Sequence, residues 1–215
     1  MVAVPIPGPD LSVRLAEAIR NYEASWKPVD SELYDLCRRR ASHRDRADVY
    51  TKVAMIGRVY EAGVARAWRG DGDPETEIRD VLIERADLIE RGLERLKDRA
   101  FGRPQAAGIV ELHGHIARAI SLRTKDRFLT SFVSKYLHFH CPIVPIYDSN
   151  ARTAIGQLVH QDVVTEVRET MAGMADWATA YRDFVAAFVA LYERANTETA
   201  QRPSVKELDH LLWQQ

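Results

Sequence analysis

The chain has 215 residues, of which 46% are hydrophobic and 28% charged, values typical of a globular protein. Its formal net charge of −1 gives no global positive field, so a DNA partner has to be bound through a local basic patch. No segment approaches the roughly 18 apolar residues of a membrane span, and the apolar N-terminus lacks the basic residues of a signal peptide. We therefore expect a cytoplasmic protein with no membrane partner.

The helical part of the chain is predicted to start after a short extended tail. Residues 1–9 form this tail, and residues 10–215 are expected to be one helical domain. Asp10 is suited to cap a first helix whose apolar residues recur at helical spacing. Pro28 is expected to end that helix, and a second, shorter helix follows over residues 30–40.

The most regular helical pattern covers residues 49–70, with one apolar stripe along a single helix. Three arginines project from the side opposite the stripe: Arg58, Arg66 and Arg69. This basic face is either solvated surface or a site for phosphate groups. Pro74 fits the first turn of the next helix, which is predicted to run to about Asp98.

Helical patterns continue through the second half of the chain. Residues 101–108 are expected to be a loop, and residues 109–122 a helix weakened by Gly114. Two more helices, at about 162–172 and 175–196, precede a final short amphipathic helix. With no β-hairpin pattern and no internal repeat, the sequence predicts an all-α fold, a compact multi-helix single domain.

The segment SFVSKYLHFHCPIVPIYDSNARTAI, residues 131–155, concentrates the polar side chains of chemical interest. Its first part is predicted to be a helix with an apolar half, and Lys135 lies at the boundary of that half. Partial burial there would lower the pKa of the lysine and make its amine a better nucleophile. The alternative is a surface lysine whose stem covers apolar atoms while its amine stays in water.

Two prolines prevent this helix from continuing, because each disfavours helical geometry at the residue before it. The chain must extend past Pro142 and Pro145, which brings Tyr147 and Asp148 to the start of the next helix. A carboxylate at that position is stabilised by the free N–H groups and by the helix dipole. The alternative to a catalytic Asp148 is a residue that caps the helix and does nothing else.

A lysine inside a helix, a proline-containing crossover and an aspartate opening the next helix together resemble the helix-hairpin-helix DNA glycosylase superfamily, in particular its 8-oxoguanine type. Residues 115–155 carry the resemblance. It implies that SKYLHF holds the catalytic amine, Lys135, and that VPIYD holds the catalytic aspartate, Asp148. It further implies a DNA repair enzyme, an N-glycosylase or lyase without a cofactor. Lys135 would displace the base from the sugar while Asp148 stabilises the developing positive charge or activates the amine.

The resemblance also implies contacts to a damaged base flipped out of the DNA. The residues that would contact the base are Tyr136, His138, Tyr147 and Trp213. The alternative for these side chains is the hydrophobic core. The hairpin of the family is rich in glycine, whereas LRTKDRFLTS here contains none. Phosphate contacts would therefore fall to cations, either Arg123, Lys125 and Arg127 or the face formed by Arg58, Arg66 and Arg69.

Two histidine pairs raise the question of a metal site: His113 with His115, and His138 with His140. Residues two apart on a helix point about 200° away from each other, so neither pair can chelate an ion. We therefore expect no metal. The two cysteines, Cys37 and Cys141, have no CxxC partner and are expected to be buried, reduced thiols.

Two rival hypotheses remain beside the glycosylase. One is a non-enzymatic helical module that binds nucleic acid or a protein through the Lys135–Asp148 groove, and the other is an interaction protein without nucleic acid. An enzyme requires Lys135 and Asp148 to face one concave pocket, with the pKa of the lysine lowered. A binding module would show a basic face without an enclosed pocket, and an interaction protein an exposed apolar patch.

Overall fold

A computed structural model describes residues 10–67, 72–124, 127–200 and 202–214. Within these ranges the chain forms twelve α-helices and no strand, packed around one hydrophobic core, so the all-α prediction is confirmed. The predicted tail, residues 1–9, lies outside the described residues. In chain order the helices are α1 Leu11–Ser25, α2 Lys27–Arg39, α3 Arg46–Val59, α4 Val64–Ala67, α5 Pro74–Glu84, α6 Ala86–Leu96, α7 Arg103–Ser121, α8 Thr130–His140, α9 Ser149–Ile155, α10 Gln161–Glu169, α11 Thr179–Glu198 and α12 Val205–Trp213.

The two longest helices, α7 and α11, form the centre of the molecule. They pack against each other, α7 also contacts α5, α6 and α8, and α11 also contacts α1, α9 and α10. Gly114 allows a close approach to α7, because a Cβ atom there would lie only 2.3 Å from Cζ3 of Trp177. None of the helices described in the structure is both long and apolar enough to cross a membrane.

Prolines at helix starts account for two corrections to the predicted boundaries. Pro28 lies in the first turn of α2 and does not end α1, which stops at Ser25. Pro104 likewise lies in the first turn of α7, so this helix begins inside the segment predicted to be a loop. A first-turn N–H has no partner within the helix, and proline is therefore tolerated there. Pro74 occupies the first turn of α5 as predicted.

The prediction of a single helix over residues 49–70 is wrong. Helix α3 ends at Val59, and the backbone of Glu61 and Gly63 takes positive φ angles of 44° and 75° before α4 begins. Glycine reaches such angles without a steric penalty, so Gly63 favours a turn at this point. Arg58 and Arg66 consequently lie on different helices and do not form the predicted common face, and Arg69 is outside the described residues.

A similar break divides the helix predicted to run from Pro74 to about Asp98. Helix α5 ends at Glu84, Arg85 leaves helical geometry with φ −104° and ψ 11°, and α6 starts at Ala86. Packing decides this break, since α5 lies on α3 while α6 lies on α7.

Helix α8 is the element that positions the residues of chemical interest. It starts after Leu129, which has a positive φ of 44°, and its residues 132–139 are all buried because α2, α3 and α7 surround it. The chain then extends to Asp148 as predicted. Its course is fixed by two hydrogen bonds: the Tyr181 hydroxyl donates to the carbonyl of Pro145 at 2.7 Å, and the N–H of Tyr147 donates to Ser134 Oγ at 2.9 Å.

Candidate active site

A surface pocket of about 490 Å³ forms where the turn between α3 and α4, helix α8, the start of α9 and the end of α12 meet. The predicted pair, Lys135 and Asp148, both line it. One wall is the turn that breaks the predicted long helix, so the pocket depends on that break. The lining residues are Tyr60, Glu61, Ala62, Gly63, Arg66, Ser131, Lys135, Tyr147, Asp148, Ser149, Asn150, Arg152 and Trp213.

The amine of Lys135 is held at the wall of the pocket by neutral groups. The residue is only 5% exposed, and its Nζ donates to Ser131 Oγ at 3.1 Å and to the carbonyl of Tyr60 at 3.4 Å. Nζ also lies 5.5 Å from the centre of the Tyr60 ring. In the part of the chain that the structure describes, Lys135 forms no ion pair with a carboxylate.

Burial lowers the pKa of Lys135 below its ordinary value. The carboxylates of Asp148 and Asp209 act in the opposite direction, and the positive charge of Lys206 adds to the lowering. Desolvation outweighs the two carboxylates, because burial strips an ammonium ion of its strong hydration shell and costs the neutral amine much less. A larger fraction of this amine is therefore neutral and nucleophilic than for a lysine in water.

Asp148 is half-buried and caps α9, as predicted. Its Oδ1 accepts a hydrogen bond from the N–H of Ala151 at 2.8 Å. This bond fixes the rotamer of the carboxylate on the edge of the pocket. Capping and a place in the pocket are compatible, since a carboxylate carries two oxygens and several acceptor positions.

A cluster of buried charges lies directly behind the pocket, centred on Lys206 of α12. Its Nζ is 3.1 Å from Asp209 Oδ2, 3.3 Å from Asp30 Oδ2 and 3.1 Å from the Tyr60 hydroxyl. The Tyr60 hydroxyl in turn donates to Asp30. Burial works to lower the pKa of Lys206, yet the two carboxylates raise it above its ordinary value. The cation of this cluster is therefore firmly protonated.

Tyr60 connects the cluster with Lys135. Its ring lies between the two ammonium groups, 5.1 Å from Nζ of Lys206 and 5.5 Å from Nζ of Lys135. Neither Tyr60 nor this cluster was predicted, because Asp30 on α2 and Lys206 on α12 are far apart in the sequence. The one available signal was the spacing of Lys206 and Asp209, three residues apart on an amphipathic helix.

The structure separates the four predicted base contacts into two groups. Tyr147 and Trp213 line the pocket, and Trp213 is 47% exposed. Tyr136 and His138 are 0% exposed and are not among the lining residues. In this arrangement the second pair belongs to the core and has no surface with which to contact a ligand.

His138 has a structural role that its hydrogen bonds define. Its Nδ1–H donates to the carbonyl of Val144 at 2.7 Å, and Nε2 accepts from the Tyr34 hydroxyl at 2.5 Å. One donor and one acceptor nitrogen make a neutral imidazole. Burial lowers the pKa of His138 to about 3, which keeps it neutral. The histidine thereby fastens the turn after α8 to α2.

The predicted phosphate contacts are not gathered at the pocket. Of the four that the structure describes, Arg66 alone lines it. Arg58 is paired with Glu75 at 3.3 Å, and Arg123 with Glu84 at 3.0 Å and Glu77 at 3.7 Å. Arg127 is exposed away from the pocket lining, and Lys125 and Arg69 lie outside the described residues. Arg152, which the sequence did not single out, lines the pocket as well.

The remaining polar side chains of interest have structural partners. His113 stacks on Tyr181 with ring centres 3.7 Å apart, and its Nε2 bonds to the carbonyl of Thr130 at 3.0 Å. Among the described residues, no three His, Cys, Asp or Glu side chains come together to hold a metal ion. Both cysteines are buried and free, as predicted, and burial raises the pKa of Cys37 to about 12.

Taken together, these features define an all-α protein with a partly buried lysine and an aspartate on one polar pocket. No family model matches the chain, and neither a curated protein nor a solved structure does. The functional proposal therefore comes from the pocket itself.

Proposed function

We propose that the chain accepts a nucleobase in this pocket and acts on it as a DNA glycosylase, with Lys135 as the nucleophile. The observation that carries the proposal is the amine of Lys135, which is buried at the pocket wall, held by neutral groups and lowered in pKa. A structural lysine of this kind would more often be paired with a carboxylate, because an unpaired buried cation is costly.

The reaction requires a neutral amine and a nearby anion, and both are available. The lone pair of Lys135 Nζ would form a bond to C1′ of the sugar while the C1′–N bond to the base breaks. The base leaves with the bonding electrons and takes up the proton that Nζ loses once its bond to C1′ has formed. Asp148 would stabilise the positive charge that develops on the sugar. Opening of the sugar ring at C1′–O4′ then converts the adduct into an imine.

The shape and lining of the pocket support a base as the occupant. Its volume of about 490 Å³ falls within the range of roughly 300–1,000 Å³ found for small-ligand sites. The half-exposed indole of Trp213 offers an aromatic face on which a flipped base can stack. A cytoplasmic location is part of the same proposal, because the free thiols of Cys37 and Cys141 suit a reducing compartment.

Borohydride trapping tests the proposal, since borohydride reduces an imine to a stable amine that links protein and DNA. Oligonucleotides with an abasic site, 8-oxoguanine or uracil are offered as duplex and as single strand. We expect an adduct with wild type and with the control Lys97→Met, which changes an exposed lysine directly after α6 that does not line the pocket. Lys135→Met, which keeps the length of the side chain, should give none. An adduct that persists in Lys135→Met would rule out this lysine as the nucleophile.

A non-enzymatic module that binds nucleic acid or a protein through the same pocket is the second candidate. It is favoured by the fact that both residues already have structural uses: Lys135 bonds to Ser131 and Tyr60, and Asp148 caps α9. Such a module should bind oligonucleotides without forming an adduct, and the binding should weaken as the salt concentration rises. Wild type and Lys135→Met should bind equally. Absence of both adduct and nucleic-acid binding would leave a protein partner.

A further inference from the structure

Before Lys135 gives up its proton, the pocket carries a surplus of positive charge that the chain as a whole does not. Among the lining residues that the structure describes, Arg66, Lys135 and Arg152 are the cations and Glu61 and Asp148 the carboxylates, three charges against two, in a chain of net charge −1. A concave site with an excess of one sign of charge attracts ligands of the other sign. The occupant is therefore expected to be anionic.

The two guanidinium groups of the pocket are available to such a ligand. Both Arg66 and Arg152 are exposed, and in the described residues neither is ion-paired with a carboxylate. Arg66 Nη2 donates a hydrogen bond to the carbonyl of Glu61 at 3.3 Å. That bond holds the guanidinium beside the pocket and leaves its other N–H groups unoccupied. Paired guanidinium donors suit the oxygens of a phosphate.

The pocket also offers an aromatic ring that a neighbouring ring holds in place. The Trp213 ring packs in a T-shaped contact with Trp26, with ring centres 5.9 Å apart, and is still 47% exposed. An indole held against a neighbouring ring and half-exposed can stack on a planar base with little loss of side-chain entropy. The pocket thus offers both phosphate-binding and base-binding groups.

The size of the site and the state of the other cations favour a single free nucleotide. A protein that holds duplex DNA commonly contacts roughly 6–10 phosphates. The arginines predicted for such contacts on α3 and after α7, Arg58 and Arg123, are instead paired with glutamates. Among the described residues that line the pocket, Arg66 and Arg152 carry the guanidinium groups without an ion pair, and together they suit one phosphate group.

We propose that the pocket binds a free nucleoside monophosphate. Arg66 and Arg152 hold the phosphate, Trp213 stacks on the base, and the sugar lies towards Lys135. The proposal rests on the proposed function for the choice of a nucleobase and goes beyond it in the ligand, a free mononucleotide in place of a damaged duplex.

Isothermal titration calorimetry of the wild-type chain tests the proposal with 5′-monophosphates of adenosine, guanosine, cytidine and uridine. The matched nucleosides, inorganic phosphate, and short single-stranded and duplex oligonucleotides serve as comparison ligands. We expect at least one monophosphate to bind about tenfold or more tightly than its nucleoside and than phosphate alone. Arg66→Gln and Arg152→Gln should each weaken that binding about tenfold and leave nucleoside binding unchanged. The control Arg39→Gln, an exposed arginine at the end of α2 outside the pocket, should bind like wild type.

Three outcomes would overturn the proposal, and they are distinct from failure of the glycosylase. Equal affinity for nucleotide and nucleoside would exclude a phosphate site, and no binding of any monophosphate would exclude the ligand altogether. Tighter binding of duplex DNA with the same dependence on Arg66 and Arg152 would exclude a free nucleotide while leaving the glycosylase intact. Monophosphate binding without a borohydride adduct on any oligonucleotide would instead reject the DNA glycosylase and keep the nucleotide site.

Discussion

Replacing Lys206 with methionine is expected to lower the free energy of unfolding by about 3–5 kcal/mol. Methionine matches the length of the lysine stem, so the packing of α12 changes little. What is lost is the one cation within 3.3 Å of two carboxylates that are almost fully buried, Asp30 at 0% and Asp209 at 5% exposure. Leaving a buried carboxylate without its cation costs much more free energy than having apolar residues in place of the whole ion pair. This cost sets the expected loss of stability.

The loss should depend on pH in a direction that follows from Asp209. Burial already raises the pKa of Asp209, and Lys206 is the strongest group acting to lower it. Without Lys206, Asp209 binds a proton in the folded state at a pH where the unfolded chain does not. A raised folded pKa favours folding at low pH and loses that contribution as the pH rises. The deficit of Lys206→Met should therefore shrink as the pH falls through the raised pKa of Asp209.

Urea denaturation followed by circular dichroism measures both effects, with the slope m as the check that the compactness of the two states is unchanged. The triple variant Lys206→Met, Asp30→Asn, Asp209→Asn removes all three charges and should recover much of the stability. Lys97→Met breaks an exposed pair with Glu94 of 3.8 Å and should cost less than about 1 kcal/mol. A loss for Lys206→Met no larger than that of Lys97→Met, or a triple variant less stable than the single one, would refute the reasoning.

Two further predictions concern the core. Gly114→Ala places a Cβ 2.3 Å from the Trp177 ring and should destabilise the protein by about 1–3 kcal/mol in thermal denaturation. Gly156→Ala meets nothing within 4 Å and should be neutral or slightly stabilising, and equal effects at both sites would contradict the packing argument. Five histidines have pKa values lowered by burial: His210, and four others to about 2 for His43, about 3 for His138 and His140 and about 4 for His113. The contribution of each histidine to the unfolding free energy is fully present above the unfolded pKa of about 6.5. Below that pH the unfolded chain binds the proton more readily, so each histidine lowers the unfolding free energy by up to about 1.4 kcal/mol per pH unit. The unfolding free energy should therefore drop between about pH 6.5 and about pH 4, less steeply in His113→Phe, and a flat profile would contradict neutral burial.

The sequence by itself determined the fold class and much of the local structure. Apolar residues at helical spacing require helices whose stripes are buried against one another, so the all-α prediction needed no tertiary information. Caps are equally local: Asp10 accepts from the N–H of Ser12, and Asp148 from the N–H of Ala151, as their positions before helical patterns predicted. The prolines after α8 also predicted the extended path that brings Asp148 to the next helix, and two tertiary hydrogen bonds hold that path in place.

Tertiary structure alone decided which of the predicted site residues reach the pocket. Tyr136 and Tyr147 are equally plausible base contacts in the sequence, yet one is 0% exposed and the other lines the pocket. Periodicity identifies an apolar face but not the helices that cover it. For α8 the polar side is covered as well, which buries Lys135 and His138 and lowers the pKa of both. The break at Arg85 is likewise not marked by a glycine or a proline, whereas the turn after α3 carries a local signal in Gly63.

The buried cluster of Asp30, Lys206 and Asp209 shows most clearly the difference between what the sequence determines and what the tertiary structure decides. Its charges are spread from α2 to α12, and in the sequence they look like ordinary polar residues of amphipathic helices. Pairing them requires α12, which packs on α1 and α9, to bring Lys206 within reach of Asp30 on α2, and no local pattern encodes this. Because the strength of an ionic interaction depends on burial, the chemistry at Lys135 also depends on where those helices finally pack.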